Sequence, residues 1–195
     1  MPDGLTKGLK NATISSWVRY DNDSKDQSLY TLSDSTPTHQ PPDQYAMLLT
    51  NQSRMAMKTD SSSKEQSVTS TGKAVGKNSW RKVTVVFDGA VMKLYENGKL
   101  VGENVNAVSP DALGEGLTAY LGKSFYNDPL FKWQIDNVTV WDAALSSDDV
   151  AALATIKAVP SNPIVAYDFE DATAVGKDTT GNGNDLTLNG NASQV

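Results

Sequence analysis

Phe125, Tyr126, Asn127 and Asp128 form a short aromatic and polar run between two predicted strands, with the composition of a sugar-binding site. An aromatic ring packs against the C–H surface of a sugar, while amide and carboxylate groups beside it bond the hydroxyls. Tyr45, which follows a proline-rich loop, is a further candidate for such a surface. Because loop aromatics also pack down onto a core, the run leaves both sugar binding and a structural role open.

The four tryptophans indicate a site less clearly. Trp17, Trp80 and Trp141 lie within or beside predicted strands, where we expect packing in the core or between strands. Trp133 shares a strand face with Ile135, so the sequence does not decide whether it is exposed.

Length and composition predict one globular domain without a nucleic-acid partner. A chain of 195 residues is long enough for a single buried core. The net charge is −6, and the 17 basic residues are scattered, which argues against nucleic acid. No apolar run approaches the roughly 20 residues that span a bilayer, so we expect no membrane insertion. The absence of cysteine excludes disulfides and thiolate metal sites.

The stretch from Trp80 to Val101, WRKVTVVFDGAVMKLYENGKLV, predicts three antiparallel strands. Apolar and polar residues alternate, which turns one face of each strand toward a core. Asp88-Gly89 and Asn97-Gly98 stand at the two reversals, and Asn-Gly favours a tight hairpin because both positions need positive φ.

The same alternation predicts strands elsewhere, and one short helix is expected late in the chain. The predicted strands cover 13–20, 28–33, 45–50, 54–59, 66–70, 117–122 and 131–141. The helix is predicted over 145–153, where Ser146 and Asp149 form a capping box and Leu145 can pack on Val150.

Two blocks of the chain resemble laminin-G-like, concanavalin-A-like domains. The central meander with its LYENGKLV run is similar to the family's central strands, and IDNVTVWDAALSSDDVAAL, from Ile135 to Leu153, is similar to its last strand and following helix. The resemblance implies an all-β, concanavalin-A-like jelly-roll β-sandwich of two antiparallel sheets with one short helix. This fold hosts many activities, so it does not by itself fix a function.

A third block, PIVAYDFEDATAVGKDTTGNGNDLTL from Pro163 to Leu188, resembles the family's first strand but stands at the C-terminal end. One interpretation is a single domain over 1–195 in which 163–195 supplies the first strand. Circular permutation of this kind is feasible because domain termini often lie close together. The other is a truncated domain over 1–158 followed by the start of a second repeat over 163–195.

The resemblance also implies a structural calcium ion. Calcium takes several oxygen ligands, and in the family one is often held by an acidic residue after the first strand and by the aspartate of the last strand. By position these residues are Glu170 and Asp136, with Asp168 and Asp171 as neighbours that could substitute. Alternatively, these carboxylates bond only backbone amides or a lysine.

The resemblance does not extend to a catalytic site. Glycosidases of this fold place two glutamates on one strand, because acid and nucleophile must face the same bond at about 5 Å. The corresponding strand, from Gln134 to Thr139, has none. We therefore expect a monomeric, non-catalytic, lectin-like module that binds carbohydrate beside other domains of a secreted or cell-surface bacterial protein, such as a glycoside hydrolase. The alternative is a structural or protein-binding adhesion or spacer module without a sugar ligand.

Overall fold

The computed structural model describes residues 5–19, 27–36, 41–50, 53–71, 78–105, 107–155, 160 and 162–194. Its strands form two antiparallel sheets, which confirms the predicted all-β sandwich with one short helix. The elements are β1 (Asn11–Arg19), β2 (Ser28–Ser33), β3 (Tyr45–Leu49), β4 (Arg54–Lys58), β5 (Gln66–Thr69), β6 (Trp80–Asp88), β7 (Val91–Glu96), β8 (Lys99–Asn104), β9 (Thr118–Leu121), β10 (Gln134–Trp141), α1 (Ser147–Leu153) and β11 (Val165–Tyr167).

The strand order is β11-β10-β1-β6-β7-β8 in the six-stranded sheet and β5-β4-β3-β2-β9 in the five-stranded sheet. Strands far apart in sequence are therefore neighbours, as β1 lies between β6 and β10. Such long-range pairing brings side chains from distant parts of the chain onto one face.

The predicted central meander is present as β6, β7 and β8. Val85 pairs with Leu94 and Phe87 with Met92, so their side chains share the inner face. Asn97 and Gly98 have φ values of 49° and 77°, which the Asn-Gly pair adopts at low cost.

The main core lies between the sheets. Val83, Val85 and Leu94 of one sheet lie in the same buried cluster as Met55 and Met57 of the other. Both methionines are at most 1% exposed, and each alternates with a residue on the opposite face of β4. They fill the core, as methionine commonly does.

Helix α1 covers part of the outer face of the six-stranded sheet. Its capping box is formed as predicted: the Ser146 side chain accepts from the Asp149 amide, and Asp149 accepts from the Ser146 amide. Val150 packs in a cluster with Val86 and Tyr95, and Leu145 lies against that cluster. The helix begins at Ser147, two residues later than predicted, because Ser146 is the N-cap and has an extended backbone.

Two boundaries differ from those predicted. The strand expected over 131–141 begins at Gln134, and Phe131 instead donates its amide to the Gly122 carbonyl at 2.8 Å. This bond closes the loop between β9 and β10. The loop expected over 104–116 contains a short 3₁₀ helix, Pro110–Ala112.

The C-terminal segment packs on the same sandwich as the rest of the chain. β11 pairs with β10 at the edge of the six-stranded sheet, with Val138 opposite Tyr167 and Val140 opposite Val165. All four side chains are at most 3% exposed and form one apolar cluster. Only Val165–Tyr167 is a strand, although the block predicted to supply it is much longer.

Candidate functional site

An aromatic cluster lies on the outer face of the five-stranded sheet. Tyr45 and Met47 project there from β3 and Ala56 from β4, since their neighbours Ala46, Leu48, Met55 and Met57 fill the inter-sheet core. Phe125, from the loop after β9, packs onto this group and is only 5% exposed. Its ring centroid lies 4.9 Å from that of Tyr45 and 4.5 Å from that of Tyr126.

Tyr126 stands above this buried base. Its side chain is 41% exposed, and its ring is tilted by 50° against that of Phe125. We call the group of Tyr45, Phe125 and Tyr126, with the polar residues around it, the Tyr126 site. It presents one exposed aromatic ring that packs on Phe125, which in turn packs on Tyr45.

Hydrogen bonds anchor the N-terminal part of the loop that carries Tyr126. Thr31 Oγ1 of β2 donates to the Lys123 carbonyl at 2.9 Å, and the Tyr126 amide donates to Ser124 Oγ at 2.9 Å. The Lys123 ammonium lies 4.6 Å from the centroid of the Tyr120 ring. These contacts fix the position of the aromatic residues on the sheet.

A carboxylate borders the Tyr126 site from the neighbouring hairpin. The Tyr45 hydroxyl donates to Glu65 Oε2, and Arg54 forms an ion pair with Glu65 Oε1. Burial, together with the hydrogen bond to Glu65, raises the pKa of Tyr45. Burial and the nearby charges of Glu65 and Asp128 raise the pKa of Tyr126. Both phenols are therefore protonated at neutral pH.

The structure gathers three of the five residues predicted for sugar binding and adds two more. Tyr45, Phe125 and Tyr126 lie in contact, while Asn127 is exposed and Asp128 half-buried in the same loop. Arg54 and Glu65 are additions that no sequence spacing indicated. The pairing of β3 with β4 and of β4 with β5 brings Glu65 near Tyr45. Arg54 pairs with Thr69 at the other end of the hairpin, and its long side chain reaches Glu65.

Three of the four carboxylates predicted to hold calcium accept local hydrogen bonds. Asp136 Oδ1 accepts from the Asn137 amide, Asp168 Oδ1 from the Glu170 amide, and Asp171 Oδ1 from the amide and hydroxyl of Thr173. Among the residues that the structure describes, no three His, Cys, Asp or Glu side chains gather as a metal site. The donor set thus lacks the multiple side-chain ligands of a dedicated cage, and calcium stays a prediction.

Asp136 also faces a basic residue. Burial lowers the pKa of Lys82 to about 8, and the charge of Asp136 opposes that shift. This electrostatic interaction and the hydrogen bond from the Asn137 amide are of the kinds that the sequence offers as the alternative to calcium for Asp136.

Comparison with known proteins gives a family match over most of the chain. The family model described as the concanavalin A-like lectin/glucanases superfamily matches residues 1–151. No curated protein matches the chain in sequence. Within the described ranges, no helix is long and apolar enough to cross a membrane.

Several solved structures share the fold at low sequence identity. Domain 4 of AbnA, an extracellular arabinanase from Geobacillus stearothermophilus solved with arabinotriose, has a TM-score of 0.62 at 19% identity, over 79% of this chain and 70% of that one. The CBM40 of the Ruminococcus gnavus IT-sialidase, bound to α2,3 sialyllactose, has a TM-score of 0.59 at 19% identity, over 79% and 94%. The SAP-like pentraxin of Limulus polyphemus has a TM-score of 0.51 at 16% identity, over 82% and 80%.

Proposed function

The chain belongs to the concanavalin A-like lectin/glucanase superfamily, and from this premise we propose that it is a non-catalytic carbohydrate-binding module whose ligand site is the Tyr126 site. We further propose that it serves a secreted or cell-surface protein that acts on polysaccharides. Structural relatives solved with arabinotriose and sialyllactose support a carbohydrate ligand for this fold.

The observation that carries the proposal is the exposed Tyr126 ring on its buried aromatic base. A ring that is 41% exposed yet fixed from below by Phe125 loses little freedom when a sugar stacks on it. The hydroxyls of that sugar need polar partners, since a buried polar group without one is costly. Asn127, Asp128 and the protonated hydroxyl of Tyr126 lie on the same loop and supply them.

The polar groups around the Tyr126 site favour binding over hydrolysis. Most glycoside hydrolases use two carboxyl groups about 5–10 Å apart across the scissile bond. The two oxygens of Glu65 are engaged by Tyr45 and Arg54, so this carboxylate acts as an anchor for the site. β10, the strand that carries the glutamates in glycosidases of this fold, has none between Gln134 and Trp141. We propose that the module concentrates a partner enzyme or cell on its substrate.

Binding of the purified chain to a broad glycan and polysaccharide array tests the proposal. We expect a specific hit, and we expect Tyr126→Ala to weaken it by at least about tenfold because the stacking surface is removed. Tyr126→Phe keeps the ring and loses one hydrogen bond, so it should lower the affinity only about two- to tenfold. Isothermal titration with the best hit measures both effects.

Repeating the measurements with a chelator distinguishes an effect of calcium from an effect of the aromatic surface. If calcium holds the fold near Asp136 and Glu170, chelation should lower the melting temperature of both the wild type and Tyr126→Ala. A blank array from a folded protein would contradict the proposed function and favour a structural or protein-binding module. Unchanged binding by Tyr126→Ala would place the ligand elsewhere.

A further inference from the structure

The outer face of the six-stranded sheet carries a second group of aromatic and polar side chains. On β1, Trp17 and Arg19 project outward, because Ile14 and Val18 pack in the core. β6 and β10 flank β1, and the register places two rows side by side. We call this group the Trp80 face; its rows are Gln134, Arg19 and Trp80, and Asp136, Trp17 and Lys82.

The Trp80 face lies beyond the part of the sheet that α1 covers, and the exposure of its members ranges from 4% for Lys82 to that of Trp80. Helix α1 packs on the same outer face at Val86 and Tyr95, farther along β6 and β7. Trp80 is instead 42% exposed, contrary to the packing that its position in a strand predicts. Trp17 is half-buried beside it, with the Lys82 ammonium 5.6 Å from the centroid of its ring. Trp80 thus supplies an exposed indole, and Trp17 supplies a half-buried one on the adjacent strand.

The polar side chains of the Trp80 face are held in place. Arg19 Nη1 donates to Gln134 Oε1 at 3.2 Å, and Arg19 Nε donates to the Asn78 carbonyl at 2.9 Å. A guanidinium has five N–H donors, so these bonds leave others that can point to a ligand. Arg19 is therefore a positioned cation beside the Trp80 ring, with which it pairs across the strands.

The charge of this face is opposite in sign to that of the whole chain. Arg19 and Lys82 are basic and Asp136 alone is acidic, so the group carries an excess of one positive charge in a chain whose net charge is −6. A planar guanidinium matches a carboxylate by geometry as well as by charge. An indole matches the C–H surface of a sugar ring.

We propose that the Trp80 face is a second ligand site, which binds a carboxylated sugar residue of an acidic polysaccharide. The sugar ring stacks on Trp80, its carboxylate bonds Arg19 over the positive field of Lys82, and Gln134 meets a hydroxyl. This site is on the opposite side of the sandwich from the Tyr126 site and does not depend on it. The two sites together would let one module bridge two chains of a polysaccharide mixture.

Binding to three carboxylated polysaccharides, polygalacturonate, alginate and hyaluronan, tests this proposal, with fully methyl-esterified galacturonan as the neutral control. We expect the wild type to bind at least one of the three, at least about tenfold more tightly than the neutral control, and more weakly as salt rises. Affinity electrophoresis followed by isothermal titration with short oligomers gives the values.

Two variants and one matched control locate the binding. Trp80→Ala should weaken binding about tenfold or more, and Arg19→Gln should remove most of the preference for the charged polymer. Leu100→Ala, which removes another exposed apolar side chain of the same sheet, should leave this binding unchanged. Melting temperatures within a few degrees of the wild type confirm that each variant is folded.

The proposal is overturned if the folded wild type binds none of the three acidic polymers, or if Trp80→Ala binds as well as the wild type. Failure of the Tyr126 site would show separately, as a blank array or as array hits that Tyr126→Ala does not weaken. The two proposals can therefore fail independently.

Discussion

Asp178 organises the irregular segment that follows β11. Its side chain is only 2% exposed, and its Oδ1 accepts from the Ala166 amide at 3.1 Å and from the amide and hydroxyl of Thr180 at 3.1 and 2.7 Å. Its Oδ2 accepts from the Asn184 amide at 3.1 Å. One carboxylate thus ties the loop to β11. Burial disfavours its charge, but the hydrogen bonds from Thr180, Ala166 and Asn184 outweigh burial and lower its pKa.

We predict that Asp178→Asn destabilises the protein by about 1–3 kcal/mol at neutral pH, because one buried amide loses its acceptor. The lowered pKa in the folded state means that the carboxylate stabilises the fold above the unfolded value near 4, and that this stabilisation is lost as the pH falls through the folded value. The difference between wild type and variant should therefore shrink below about pH 4. Urea unfolding from pH 7 to pH 3 measures it.

Asp171→Asn is the matched control for Asp178→Asn. Asp171 makes the same kind of bonds, to the amide and hydroxyl of Thr173, but it is exposed to solvent. Water can replace those bonds, so the loss of stability should be clearly smaller. Equal losses from the two variants would show that burial of Asp178 is not what matters.

At the scale of elements, the β7–β8 hairpin and α1 depend on one glycine. A Cβ added to Gly98 would lie 2.9 Å from the Ala151 Cα and 3.2 Å from the Ala154 Cβ, so the helix rests directly on the turn. Gly98 also has a φ of 77°, which L-residues adopt at a cost. The turn residue that favours the hairpin is thus also the one that admits the helix.

A positive φ alone costs an L-residue about 1–2 kcal/mol, and we predict that Gly98→Ala destabilises the protein by more than this. Gly89→Ala is the control, because Gly89 also has positive φ, 57°, but a Cβ there meets nothing within 4 Å. Denaturant unfolding measures the loss of unfolding free energy in each variant. The difference between the two losses is the contribution of the contact between the turn and α1. If the two losses are equal, α1 does not rest on the turn in solution.

Whether an outward-facing side chain of a strand is exposed depends on what packs over that strand. Period-two alternation is the same at Val86, which α1 covers, and at Trp80, which stays 42% exposed. The alternation therefore predicts packing for both Trp80 and Trp141. This prediction is wrong for Trp80 and is confirmed for Trp141, which is 2% exposed. The Trp141 Nε1 donates to the Pro160 carbonyl at 3.2 Å.

At the scale of the whole molecule, the C-terminal segment completes an edge of the sandwich. Val165 and Tyr167 are at most 1% exposed and bury Val138 and Val140 of β10, and the Tyr167 hydroxyl donates to the Asn184 carbonyl at 2.6 Å. We propose on this basis that 163–195 supplies the first strand of a single domain. The start of a second repeat is the competing interpretation.

Removal of residues 160–195 tests this proposal. We predict a large loss of stability together with self-association, because each uncovered large apolar side chain costs about 1.5–3 kcal/mol and β10 becomes an open edge. Removal of 189–195 is the control, since those residues that are described are exposed. Thermal unfolding and size-exclusion chromatography report both effects. A stable, monomeric chain ending before residue 160 would favour the second repeat.

The resemblance of blocks of the sequence to a known family predicted the fold class. Local patterns determined most strand positions, the Asn97-Gly98 turn and the cap of α1. Each depends on neighbours a few residues apart: alternation buries one face, an Asn-Gly pair tolerates positive φ, and Ser146 reaches the Asp149 amide. The sequence also placed Tyr126 among the candidate residues, because aromatic and amide groups stood together in one loop.

Only the tertiary structure decided which of these side chains meet and which remain open. Tyr45 reaches Phe125 because the loop after β9 folds back over the outer face of β3, and Glu65 joins them through the pairing of β4 with β5. Whether an outward-facing side chain is buried depends on the element that packs over it. Helix α1 packs over Val86, whereas Trp80 stays exposed in the described part of the chain. These contacts join residues far apart in sequence, so no local pattern of residue types encodes them.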